Sequence, residues 1–145
     1  MLDRLRSRVI EYVILANAFM FIVRLAAPEL TARYLAVTPA TVHMMPWTII
    51  TNMFVHVDFI HIFFNMFFGV LMFGTYFENI VGEREFAKVY FTGGIAAALF
   101  YVFVSLTLGL PDPRTPALGA SGAVFAIMGA LVVLRPDMML YVYFF

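Results

Sequence analysis

Cysteine is absent from the 145 residues, which excludes a disulfide framework and removes thiolates as nucleophiles or metal ligands. The absence does not identify a compartment. Charge is scarce as well. Nine Lys and Arg and nine Asp and Glu make up 12% of the chain, about half the share in soluble domains, too few to cover a water-soluble domain of this length. They sum to zero, so there is no basic excess for a nucleic-acid partner. What remains is apolar: 63% hydrophobic residues and a mean hydropathy of +0.94. Such a chain is dissolved in a lipid bilayer, and its fold class is an all-α polytopic membrane bundle.

A helix needs about 20 mostly apolar residues to cross roughly 30 Å of hydrocarbon. Spans are expected over about 9–27, 59–77, 86–108 and 119–134, with the start of a fifth over 138–145. Arg4, Arg6 and Arg8 precede the first run, but that run is long for a signal peptide. Arg24, Pro28 and Glu29 also make a poor cleavage site. Between the first two spans, Pro28, Pro39 and Pro46 interrupt helix, while Tyr34 and Trp47 suit the headgroup level. Residues 28–57 therefore read as a loop lying in the interface. Residues 78–88 form a polar turn, and three prolines make 109–116 a loop. Gly93, Gly94 and Ala96 to Ala98 allow close helix contact in the third span.

Polar side chains are expensive at membrane depth, which makes His61, Asn65 and Ser121 functional candidates. His61 and Asn65 are four apart and share one helical face. Ser121 follows the proline-rich loop in Gly119-Ala120-Ser121-Gly122, on the first turn of the fourth span. Free N–H groups and the positive dipole end at a helix N-terminus favour developing negative charge. A serine there can attack a carbonyl whose oxyanion is held by its own N–H and by His61 and Asn65. Each residue alone has an ordinary reading. Gly119, Gly122, Ala126 and Ala130 form a small-residue stripe in which a serine packs, and His61 or Asn65 can bond helices together. Their combination on one side of the membrane is harder to explain by packing. His56, five residues before His61, is turned away by about 140° if the helix already includes it. It is either a further polar group at the site or a loop residue. His43 lies in the interfacial loop and has no assigned role.

These residues resemble the rhomboid family. Pro46-Trp47 followed by Thr51, Phe54, His56, His61, Asn65 and Met66 is similar to the rhomboid first loop and second span. Glu78, Gly82, Arg84 and Phe86 resemble the turn that follows, and the segment from Gly119 to Phe125 is similar to the G-x-S-G nucleophile motif. The likeness covers Pro46 to Leu134. It implies a six-span core with Ser121 as catalytic nucleophile, His61 and Asn65 in the oxyanion hole, and His56 and Gly119 as possible additional site residues. No metal or cofactor is implied. The implied base is a histidine on the sixth span, which none of His43, His56 and His61 matches. By this likeness the chain is the N-terminal part of a rhomboid-type serine endopeptidase, stops before its base and is inactive alone. Its implied partners are the bilayer and single-span membrane proteins cut near the outer face, and the expected home is the cell membrane of a prokaryote. The alternative is a non-catalytic rhomboid-fold protein that binds transmembrane clients. A transporter half predicts an internal repeat, and none is found.

Loop charge sets orientation. With a cytoplasmic N-terminus, inside segments hold Arg4, Arg6, Arg8, Arg84, Lys88 and Arg135, against Arg33 and Arg114 outside. Because the chain has no cysteine, single-cysteine variants report cleanly. An impermeant thiol reagent is expected to label Arg114→Cys and to leave Arg84→Cys unlabelled. The reverse pattern would invert the topology.

Overall fold

The computed structural model describes residues 8–137. Helices dominate them: α1 (Arg8–Ala26), α2 (Pro28–Tyr34), α3 (Thr48–Thr51), α4 (Phe59–Val81), α5 (Glu83–Leu108) and α6 (Ser121–Leu134). At 1.5 Å per residue, α1 and α5 are about 29 and 39 Å long, and these two and α4, whose residues Phe64–Gly74 are wound as a π-helix, are long enough to cross the bilayer. The 14 residues of α6 reach only about 21 Å. With Arg135 at one boundary of a roughly 30 Å hydrocarbon layer, Ser121 lies about 9 Å below the opposite edge.

The ends of these helices differ from the expected spans for local reasons. The reversal after α4 needs only Gly82, whose φ of 89° suits a residue without a Cβ. The helices therefore extend through most of the expected polar turn, with Glu83 and Glu85 in the first turn of α5, where the dipole favours acids. Glu83 also accepts from the Val9 N–H at the start of α1 (2.8 Å). The fourth helix does not take in Gly119 and Ala120. Gly119 has φ 115° and Ala120 is the N-cap. The expected fifth span, 138–145, falls outside the described residues.

Close approach of small residues organises the bundle. The α5 and α6 pair is the most extensive helix contact. A Cβ on Gly122 would come 2.5 Å from that of Ala97, and one on Gly93 would overlap the Ala126 methyl. Gly69 of α4 likewise lies against Val124 of α6. Val70, Phe77, Phe86, Tyr90, Ile127 and Leu131 fill the interior, and Met53, from the loop after α1, lies buried against Gly94. Large apolar side chains such as Phe19, Phe100, Phe103 and Phe125 face outward. Lipid is the surrounding that such a surface requires, and the protein is an integral membrane protein.

Residues 28–57 are ordered by their own hydrogen bonds. The Trp47 indole donates to the Tyr34 carbonyl (2.8 Å), Thr51 to Leu35 (2.9 Å), and Asn52 Nδ2 to Thr48 and Ile49 (2.7 Å each). Arg24 donates to the Pro28 carbonyl and holds the start of α2.

The α5–α6 contact predicts a reciprocal pair. Gly93→Ala is expected to destabilise the bundle by about 1–3 kcal/mol through overpacking. Ala126→Gly in the same chain is expected to restore most of that loss, since it removes the methyl that Gly93 faces. Unfolding midpoints of both single variants and the double variant in one detergent measure the coupling.

Candidate active site at the start of α6

The segment between α5 and α6 contains few residues that bond to each other, and the bonds that fix it come mainly from elsewhere. Val37 and Ala117 exchange both bonds of an antiparallel bridge (2.9 and 2.8 Å), and the Ala40 N–H donates to Pro113 (2.9 Å). From α5, the Ser105 hydroxyl donates to Pro111 (2.8 Å) and the Tyr101 hydroxyl to Thr115 (3.0 Å). The Gly119 N–H reaches the Asn52 carbonyl (2.8 Å), and the Ala120 N–H reaches His56 Nε2 (3.3 Å). Thus α5 and the 28–57 loop deliver Ser121 to its place.

His61 sits in the first turn of α4. Its N–H is capped by Asp58 Oδ1 (2.8 Å), and Val57 N–H approaches its Nδ1 (3.4 Å). That contact leaves the proton on Nε2, which lies against Gly119: a Cβ there would be 2.7 Å from Nε2. The glycine therefore answers two demands, a positive φ and an imidazole in the space of a side chain. Asn65 is buried one turn deeper, and its Nδ2 donates to the His61 carbonyl (2.9 Å), leaving one amide proton for another acceptor. His56 is fully buried, with its ring edge-on to His61 at 4.9 Å and 67°.

Ser121 is the first residue of α6 and half-buried. Among the described residues its hydroxyl has no hydrogen-bond partner, and the first N–H of α6 with an acceptor is that of Val124, bonded to the Ala120 carbonyl. Ser121 lines a cavity of about 160 Å³ with Gly119, Asn52 and Tyr101, and His61 and Asn65 lie outside that lining. The structure thus gathers His56, His61 and Gly119 at the turn before Ser121, places Asn65 directly behind His61, and leaves His43 exposed in the loop.

Two residues at this site were not singled out from the sequence. Asn52 offers a signal, as a polar residue in an apolar stretch four before His56. Tyr101 offers none: nothing in a run of apolar residues distinguishes the tyrosine that faces the loop. Asn17 of α1 and Tyr90 of α5 are also fully buried within the spans, away from this turn.

The apolar helical bundle, with a half-buried serine at the N-terminus of α6, defines the class: a polytopic helical membrane protein. The Rhomboid domain model matches residues 43–145, and the chain belongs to the rhomboid family. It is 37% identical over 109 residues to RHOMBOID-like protein 12, mitochondrial, of Arabidopsis thaliana, covering 68% of this chain and 32% of that protein. To the Presenilin-associated rhomboid-like protein, mitochondrial, of Bos taurus it is 29% identical over 134 residues, 90% of this chain and 34% of the relative. Inactive RHOMBOID-like protein 8 of Arabidopsis thaliana is 31% identical over 87 residues, 59% of this chain and 22% of the relative. The chain spans about a third of the length of the first two of these relatives. No solved structure matches it. The first two relatives are named as mitochondrial, which lends no support to the expectation of a prokaryotic cell membrane.

Burial, and then the neighbouring His61, hold His56 well below its usual value, at about 4. The Phe54 backbone acts in the opposite direction without bringing Nδ1 into hydrogen-bond geometry. A folded histidine that resists protonation loses stability as pH falls from about 6.5 to about 4, with no further loss from this group below that. The drop corresponds to roughly 3 kcal/mol. Unfolding midpoints at pH 7 and pH 4.5 are expected to differ more in the parent chain than in His56→Gln.

Proposed function

We propose that the chain carries the nucleophile and oxyanion-binding part of an intramembrane serine endopeptidase site. The observation that carries this reading is the Gly119-Ala120-Ser121 turn, held against the Nε2 side of His61 at the free N-terminus of α6. The Ser121 oxygen attacks the scissile carbonyl, and the oxyanion is received by the Ser121 N–H, the His61 Nε2–H and the remaining Asn65 amide proton. A base removes the serine proton and returns it to the leaving amine. None of the three histidines suits that task. His43 is exposed in the loop, His56 Nε2 already accepts from Ala120, and His61 presents Nδ1 to Val57 and Nε2 to Gly119. The resemblance to rhomboids assigns the base to a histidine on a later span. It also supplies the substrate class, single-span membrane proteins cut near the outer face. The N-terminus is then cytoplasmic, with the 28–57 loop bordering the site on the other side.

The short helix α6 supports this reading, because it sets the serine below the membrane surface, where an unwound substrate segment is shielded from lipid by the loop. The small cavity beside Ser121 gives space on the far side of the nucleophile.

Cleavage of a single-span substrate in proteoliposomes tests the assignment. The 145-residue chain is expected to be no faster than its Ser121→Ala variant. Joined to downstream spans that carry a histidine, it is expected to cleave in a Ser121-dependent manner. His61→Ala or Asn65→Ala then lowers the rate by about 10²–10³, the scale of one lost oxyanion donor. If the short chain shows Ser121-dependent cleavage that vanishes in His61→Ala, His61 is the base. If no joined chain cleaves, while parent and Ser121→Ala bind the substrate equally, the protein is a client-binding member of the family.

A further inference from the structure

The turn before Ser121 presents a selection problem. Every N–H near a helix N-terminus attracts negative charge, yet only those aimed at the substrate carbonyl are useful. Here the choice is made by acceptors outside the helix. The Gly119 N–H is taken by the Asn52 carbonyl and the Ala120 N–H by His56 Nε2, so the first N–H without an acceptor among the described residues is that of Ser121. His56 is unusual as an acceptor. It lies outside α4, is fully buried, and is the only side chain among the described residues that bonds this turn's backbone. Its ring also meets His61 edge-on, so one side chain touches both the nucleophile turn and a proposed oxyanion donor.

We propose that His56 is a positioning residue: in its neutral, Nδ1-protonated form it accepts the Ala120 N–H through Nε2 and thereby fixes the Ser121 N–H toward the carbonyl site. The assignment of the Ser121 N–H as donor rests on the protease reading. The hydrogen bond itself does not. A protonated His56 has a donor at both nitrogens and repels the Ala120 N–H. The titratable group facing His56 from α4 is His61, whose backbone N–H is held by Asp58. From the turn before α6, His56 meets the Ala120 N–H, and none of the residues Gly119 to Ser121 is titratable.

Gln places its Oε1 at nearly the reach of His Nε2, whereas Phe keeps the ring and removes the acceptor. With histidine-selective ¹⁵N labelling in phosphatidylcholine nanodiscs, His56 is expected to be the Nδ1-protonated neutral tautomer at pH 7. The Ala120 amide is expected to exchange at least about tenfold faster in His56→Phe, since it loses its acceptor, and to recover in His56→Gln. In the chain joined to downstream spans that carry a histidine, labelling of Ser121 by a fluorophosphonate is expected to slow in His56→Phe and recover in His56→Gln, and unchanged labelling of His56→Phe overturns the assignment. A protonated Nε2 on His56 at pH 7 overturns it, as does unchanged Ala120 exchange in His56→Phe. The tautomer is read on the parent protein, so a misfolded variant leaves the test intact. If the chain joined to downstream spans that carry a histidine takes no fluorophosphonate at Ser121 while the tautomer and exchange results hold, the protease reading fails and the role of His56 in holding the turn stands.

Discussion

Backbone N–H and C=O groups below the membrane surface have no water to bond, and irregular chain survives there only if protein supplies every partner. The segment between α5 and α6 draws partners from other segments: Val37, Ala40 and Asn52 from one loop, Ser105 and Tyr101 from α5, and His56 at the entrance to α4. The position of Ser121 depends on all of them. Because these bonds are to residues distant in sequence, the serine turn is a product of the assembled bundle and does not form from local preference.

The same constraint gives the 28–57 loop its form. Its bonds from Trp47 to Tyr34 and from Thr51 to Leu35, and those of the Asn52 side chain, fold it on itself before it meets the helices. Met53 then inserts toward Gly94, tying the loop to the helix that packs closest to α6. Small residues at Gly93, Gly94, Ala97, Gly122 and Ala126 let α5 and α6 approach, and that approach sets how far the Ser121 turn stands from α4. Packing and chemistry therefore share their residues. The small-residue stripe, which on its own reads as packing, is packing, and it is also what holds the serine where the histidines are.

Neutral histidine is the second theme. Among the three histidines, His56 and His61 are neighbours, and burial first, then that neighbour, disfavours the charged form of His56. Its neutrality makes it an acceptor, and His61, with Nδ1 turned to Val57, is left as the donor that faces Gly119. The division of roles between two like residues follows from their partners, one meeting an N–H from the serine turn and the other an N–H from its own loop.

Composition and run length were enough to determine the solvent, the helical class and the four apolar helices, because a lipid environment imposes length and apolarity that any reading of the chain can count. The His61 and Asn65 spacing and the serine motif were equally legible, since both are local. The helix ends were less so: Gly82 alone makes the turn, and Gly119 with Ala120 stays outside α6, which depends on a backbone angle and on bonds to Asn52 and His56. The role of His56 was open in the sequence, as a loop residue and a site residue look alike there. Only the tertiary structure shows what His56 bonds, because the Ala120 N–H lies 64 positions away along the chain, and no local pattern records a partner that the fold brings from so far.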